Sequence, residues 1–406
     1  MTESDGLLTG VAASLRSVVD QVMSVADVTL GRNEGYAVRF RGTLRIDSVE
    51  AYERVDAVFR QHDFTPVFRL EDGQHVIKAM PGVINPNPSN VAVNVVLLGL
   101  TVLSAFYTGA LYNYDGPATS AGQVLLQGLV RIYTGWPFAV GLLSILLAHE
   151  FGHYIAARRH GAPVTLPYFI PMPYPISPFG TLGAVILMKA PIRNRRILLD
   201  IGIAGPLAGF IVAVPVLLIG LLRSHVEPLP LAFAAGQGIS LEGNSIFYLL
   251  AKFLVFGKLL PAPAAYGAGG PLLYWLRYFF TSTPIPLGGK DVILDQVAWA
   301  GWAGLLVTGL NLIPAGQLDG GHALYVLMGK RVEKLLPFIV GLLVLLGFVW
   351  PGWWLWAALI YFVNRRHAEL LDEITVLDAR RSTLAWVTLI LFVLVITPVP
   401  LMLISG

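Results

Sequence analysis

The chain has 406 residues, 55% of them hydrophobic and 13% charged, with a mean hydropathy of +0.67 and a formal charge of +3. Soluble domains carry about 25% charged residues; half that share, with apolar runs able to cross about 30 Å of hydrocarbon, excludes an ordinary water-soluble protein. The small net charge, without a basic patch, excludes nucleic acid as a partner, and the absence of cysteine leaves any metal to His and carboxylate.

Residues 1–80 hold 9 Lys/Arg and 12 Asp/Glu, the density of a small water-exposed domain. Their first twenty lack a basic stretch followed by an apolar core, so neither a secretory signal nor a transit peptide is expected. A helix is predicted over 8–27, strand alternation over 36–46, a second helix over 48–62, and a hairpin turning at Asp72-Gly73. Together these make a small α+β domain. The Pro/Asn-rich stretch 81–90 is a linker.

Beyond it the expectation is a polytopic α-helical membrane protein of roughly six to eight transmembrane helices. The candidate spans are 91–112, 137–158, 198–222, 292–313, 335–350, 353–364 and 384–404, with 353–364 turning back on 335–350 at Pro351-Gly352. Apolar stretches within 228–283 are interfacial, re-entrant or spanning. Lys and Arg concentrate in 158–196, 330–334 and 365–381. Alternate threading puts those three segments, and residues 1–80, on the cytoplasmic side. Trp350, Trp353, Trp354 and Trp356 suit an interfacial belt.

Residues 149–153 read HEFGH. On a helix, positions i and i+4 share a face, so His149 and His153 can bind one Zn²⁺, while Glu150 between them can take a proton from water. Two histidines and an acid can also merely decorate a helix. In an apolar span, however, an ionisable residue costs about 2.5–3.5 kcal/mol without a partner, and a metal ion supplies one. The third donor is not placed as in soluble zinc proteases: Ala156 and Arg159 stand where one plan needs Gly and His, and no acid occurs between Glu150 and Asp200. Asp319, in the 311–322 stretch NLIPAGQLDGGH, lies where a later span leaves the membrane at the same depth as the histidines; its alternative role is to start a turn.

HExxH in a membrane span followed by N-x-x-P-x(4)-D-G resembles the site-2 protease family of intramembrane zinc metalloproteases. PYFIPMP (167–173), FGTLGAVILMKAPIRNRR (179–196) and DIGIAGPLAGF (200–210) add to the likeness, which covers roughly residues 90–330. The resemblance implies one zinc ion held by His149, His153 and Asp319, Glu150 as catalytic base, and Asn311 as a polar group near the substrate carbonyl. It implies the lipid bilayer as surroundings and, as substrate, a membrane protein with a transmembrane segment. The chain looks most similar to PDZ-less bacterial and chloroplast members. The organisation expected is 1–80 soluble domain, 81–90 linker, 91–330 catalytic membrane core and 331–406 C-terminal transmembrane helices. The expected location is a prokaryotic cell membrane, with the site towards the cytoplasm.

A substrate helix hides its peptide bonds in its own hydrogen bonds. The strand-like 180–187 is therefore expected to offer an edge for unwound substrate beside the zinc, or else to be a plain connecting loop. The Gly205/Gly209 stripe is expected to bring span 198–222 close to the catalytic helix. His322 is either a support for the metal ligands or a solvated loop residue. A transporter would spread its ionisable residues over several spans; here they gather in two motifs, and a catalytically dead relative would have lost one of the four functional groups.

Overall fold

The computed structural model describes residues 3–31, 34–114, 116, 120–233, 238–362 and 370–405. The N-terminal part comprises α1 (Glu3–Val22), β1 (Met23–Leu30), β2 (Val38–Leu44), α2 (Ser48–Phe59), β3 (Phe64–Glu71) and β4 (Gln74–Pro81). Its strands form an antiparallel sheet in the order β1-β2-β4-β3. Leu15 and Val19 of α1 and Val55 and Phe59 of α2 pack on Phe40 and Ile77 of the sheet, all fully buried. Asp47 starts α2 by accepting from the Val49 N–H. The hairpin turns at Asp72 and Gly73, both at positive φ, as expected. The first helix, expected to reach residue 27, stops at Val22; the β-branched Val25, Val28 and Thr29 instead run along β2.

Next come α3 (Val91–Tyr112), α4 (Ala121–Val130), α5 (Trp136–Arg159), β5 (Tyr168–Pro171), β6 (Thr181–Val185) and α6 (Arg195–Arg223). The stretch 225–293 holds β7 (His225–Pro228), β8 (Gly238–Glu242), α7 (Ile246–Phe256), α8 (Gly270–Thr281) and β9 (Lys290–Ile293). Then follow α9 (Gln296–Asn311), α10 (Asp319–Met328), α11 (Leu336–Gly347), α12 (Gly352–Phe362), α13 (Ala379–Val395) and β10 (Leu401–Ser405).

The fold is mostly helical, and three described helices are long and apolar enough to cross a membrane: Val91–Tyr112, Ile132–Arg159 and Arg195–Arg223. The expected six to eight spans are not matched by helices of that length. The 292–313 segment divides into β9 and the 16-residue α9. The 335–350 and 353–364 segments are the 12-residue α11 and 11-residue α12, turning at Pro351-Gly352 as expected. The last expected span, 384–404, is not one helix. Pro398 and Pro400 cannot donate helical hydrogen bonds, so α13 ends at Val395 and β10 pairs antiparallel with β8.

Helices α5, α6 and α9 make the centre of the bundle. Gln296, at the start of α9, accepts from the Phe138 N–H near the start of α5, and Asn311, at the far end of α9, meets His149 further along α5, so the two run parallel. In contrast, α6 runs antiparallel to both, with Ile201 beside His153 and Gly220 beside Ala298. The metal motif thus sits nearer the Arg158–Arg159 end of α5 than the Trp136 end.

Residues 370–376 tie the N-terminal sheet to this core. The Phe68 N–H donates to the Leu371 carbonyl and the Glu373 N–H to the Phe68 carbonyl, extending the β3 edge. On the other side, the Asp372 N–H donates to the Arg193 carbonyl. Asp372, fully buried, accepts from the Ile374 and Thr375 N–H groups and from the Thr375 hydroxyl. Arg365 and Arg366, part of the expected basic segment, lie outside the described residues.

Candidate metal centre

His149 and His153 are one helical turn apart on α5, 4% and 6% exposed, and face α6 and α10. Asp319 reaches them because the chain reverses after α9. Residues 312–318 form a tight loop in which the Leu318 N–H donates to the Ala315 carbonyl, and α10 starts at Asp319. Asp319 Oδ2 stands 3.3 Å from His149 Nε2 and 3.3 Å from His153 Nε2, and the two imidazole nitrogens are 3.2 Å apart. Among the described residues this is the one grouping of three His or acid side chains able to share an ion.

Those separations test the fit to a metal. A tetrahedral ion with bonds of about 2.0 Å to nitrogen and oxygen has donor–donor edges of about 3.3 Å. Two imidazole nitrogens and a carboxylate oxygen converging at that spacing in a buried site fit one cation. His153 Nδ1–H donates to the Ile201 carbonyl at 2.7 Å, which fixes the tautomer with its Nε2 lone pair turned to the shared point.

Glu150, 5% exposed, follows His149 on the same helix and accepts no hydrogen bond from any described residue. Asn311, the last residue of α9, has its Nδ2 3.4 Å from His149 Nε2. The structure therefore gathers His149, His153, Asp319 and Asn311 at one point, with Glu150 beside it on α5.

The glycines of α6 let this happen. A Cβ on Gly205 would stand 2.0 Å from His153 Nε2, and one on Gly209 would stand 3.1 Å from His149 Cβ. On the facing helix, a Cβ on Gly152 would lie 2.5 Å from the Ala204 carbonyl oxygen. The expected close approach is present, and it goes further than helix packing: it makes room for the imidazoles themselves. The Ile201 carbonyl was not anticipated, since a backbone acceptor leaves no mark in the sequence. His322 sits one turn after Asp319 with its Cβ against Gly202 of α6. His160 pairs with Asp200 at 3.0 Å, where Arg381 also binds. His367 lies outside the described residues.

Strands β5 and β6 form an antiparallel pair that continues through Val164 and Met188. Phe169 and Ala184 of this hairpin pack into the apolar cluster that includes Ile145 and Leu146, just before His149. Asn94 of α3 holds the hairpin's base by donating to the Leu166 and Pro167 carbonyls. The expected strand over 180–187 is present as 181–185, and no described strand pairs with its second edge.

Comparison with known proteins extends this picture. The chain is similar to "Probable zinc metalloprotease EGY2, chloroplastic" of Arabidopsis thaliana, 29% identical over 374 residues that cover 89% of this chain and 60% of that protein. It is 27% identical to the rice (Oryza sativa subsp. indica) protein of the same name, over 96% of this chain and 66% of that one. It is 31% identical to "Probable zinc metalloprotease EGY1, chloroplastic" of Arabidopsis thaliana, over 65% and 43% respectively. The chain thus spans less than two thirds of the length of these curated relatives. The three long apolar helices support a membrane; the relatives' names place them in the chloroplast, and the expected prokaryotic cell membrane is not supported. No solved structure matches. The model of peptidase family M50 matches residues 137–349, a span that opens at the start of α5 and includes every residue of the metal cluster; the chain belongs to that family, the site-2 proteases.

Proposed function

We propose that the chain is a membrane-embedded zinc endopeptidase that hydrolyses peptide bonds within or beside the transmembrane segments of other membrane proteins. The observation that carries this reading is the triangle of His149, His153 and Asp319 donor atoms, 3.2–3.3 Å on a side, with both histidines buried and Asp319 15% exposed. The family match and the relatives' names add zinc and proteolysis to it.

In this reading the three donors hold one Zn²⁺, which supplies Lewis acidity to polarise the scissile carbonyl and to acidify water. Glu150, which accepts no hydrogen bond from the described residues, accepts the proton from the attacking water and delivers it to the departing amine. The Ile201 carbonyl keeps the His153 ring in place throughout. Asn311, with its Nδ2 3.4 Å from His149 Nε2, would donate to the scissile carbonyl oxygen as negative charge builds there. The free edge of β6 pairs with unwound substrate.

Residues 1–80 form a cytoplasm-facing domain joined by 81–90 to a catalytic core of 91–330. The shorter helices of 292–395 complete six to eight membrane passes, and the metal opens to water on the side that carries the N-terminal domain. The test is co-expression with single-pass membrane proteins, comparing the parent chain with Glu150→Gln and measuring bound zinc alongside. Cleavage should vanish while zinc stays near one per chain; cleavage that persists in Glu150→Gln would falsify the mechanism.

A further inference from the structure

The far end of the bundle holds a second set of buried charges, remote from the metal donors. Lys252 of α7 is fully buried, with Nζ 3.6 Å from Glu242 Oε1 at the end of β8. Tyr248 donates to the same carboxylate oxygen at 2.9 Å, and the ammonium lies 4.3 Å from the Tyr248 ring centroid. Asp291 of β9 is 2% exposed. Its Oδ1 accepts from the Val292 N–H, and no cation stands within ion-pair distance of it among the described residues, the Lys252 ammonium acting on it only from further away. Burial raises the pKa of both carboxylates and Lys252 lowers it; with both ionised, the one ammonium leaves one negative charge unmatched. Taking an ion out of water costs several kcal/mol even after relaxation, so the arrangement is one cation short.

Asp291 and Glu242 both line a cavity of about 200 Å³. Leu229 and Ile239 give it an aliphatic wall, and the rings of Tyr112 and Trp299, 5.4 Å apart edge to face, give it an aromatic one. An aliphatic surface suits the stem of a lysine or arginine, and ring faces with carboxylates suit its charged head. We propose that this cavity is a recognition subsite for a lysine or arginine side chain in the extramembrane flank of the substrate, on the side away from the N-terminal domain.

That the basic residue comes from a substrate rests on the proteolytic reading; that the cavity binds an organic cation does not. The position of the cavity sets a spacing. Trp299 lines it near one end of α9, and Asn311 lies against His149 at the other. From 299 to 311 is twelve residues of helix, about 18 Å at 1.5 Å each. The recognised residue therefore lies about 18 Å from the bond that is cut, or about twelve positions if the intervening substrate stays helical.

The binding arm of the test uses the full chain carrying Glu150→Gln, purified in detergent and titrated with butylguanidinium, with butanol as the uncharged control and thermal unfolding as readout. A saturable rise in the unfolding midpoint is expected with butylguanidinium only, and Asp291→Asn should raise its half-saturating concentration at least tenfold. If Asp291→Asn does not fold, Glu242→Gln is read in its place, with the same expectation. No saturable rise, an equal rise with butanol, or an unchanged half-saturation in the variant overturns the proposal. A cleavage arm, in which each flank Lys or Arg of a processed substrate is replaced by Gln in turn, should find one position where cleavage falls about tenfold. A uniform response would overturn the substrate assignment, and failure of all cleavage would strike the proteolytic reading while leaving the binding result standing.

Discussion

Gly205 of α6 sits where no side chain can be. The position its Cβ would take is 2.0 Å from His153 Nε2, the atom that points to the shared donor site. Gly205→Ala should therefore displace the imidazole rather than merely crowd two helices, reducing bound zinc at least tenfold at a general overpacking cost of about 1–3 kcal/mol. Gly209→Ala, with its nearest contact at 3.1 Å, should keep more of the metal. Zinc content per chain by mass spectrometry decides the matter, and a fully loaded Gly205→Ala protein would contradict the geometry. At this scale the sequence was legible wherever side-chain chemistry recurs at helical spacing, as in His149, Glu150 and His153. Asp319 was reached only through topology, as an acid at the right depth. The steric part of Gly205 and the Ile201 carbonyl were not legible, because the first looks like any small-residue stripe and the second carries no side-chain signal.

At the scale of elements, the hairpin of β5 and β6 joins the sequence most directly to function. Thr181 and Gly183 are buried while Leu182 is 62% exposed, the alternation of a strand with one face against the protein. If unwound substrate pairs along this edge, Ala184→Pro, which removes a donor and fixes φ, should cut proteolysis at least tenfold with zinc retained. Unchanged cleavage would reduce the hairpin to a connection. The element boundaries that misled did so for identifiable reasons. Apolar, β-branched residues after Val22 continue the helical pattern of α1 on paper, yet they find a strand partner in β2. Likewise the run from 384 to 404 is apolar throughout, but its prolines end α13 and release residues 401–405 to pair with a strand more than 150 positions earlier, a partner that no local pattern announces.

Across the whole molecule, the N-terminal sheet and the metal-bearing bundle are joined by a strap from much later in the chain. Asp372 organises the strap through two backbone donors and the Thr375 hydroxyl, Arg69 donates to the Leu370 carbonyl, and Ser48 meets Thr375 at 2.9 Å. Replacing Asp372 by Ala leaves buried donors unsatisfied, a loss of about 1–3 kcal/mol. The expected result is faster proteolytic nicking within residues 82–90, with the bundle's own unfolding little changed; an unaltered cleavage pattern would show that the N-terminal sheet is held by other means.

The strap also means that the N-terminal domain is an unfinished sheet. The outer edge of β3 is completed by residues 371–373, supplied from the other end of the chain. Excised as a fragment of residues 1–83, it would carry an open, hydrogen-bond-hungry edge of the kind that recruits a second copy. Such a fragment should sediment as a dimer or larger, and adding a peptide spanning 370–376 should return it to a monomer. What passes for a self-sufficient module in the sequence would then be a split one, whose last strand is withheld until the membrane part of the chain has been made.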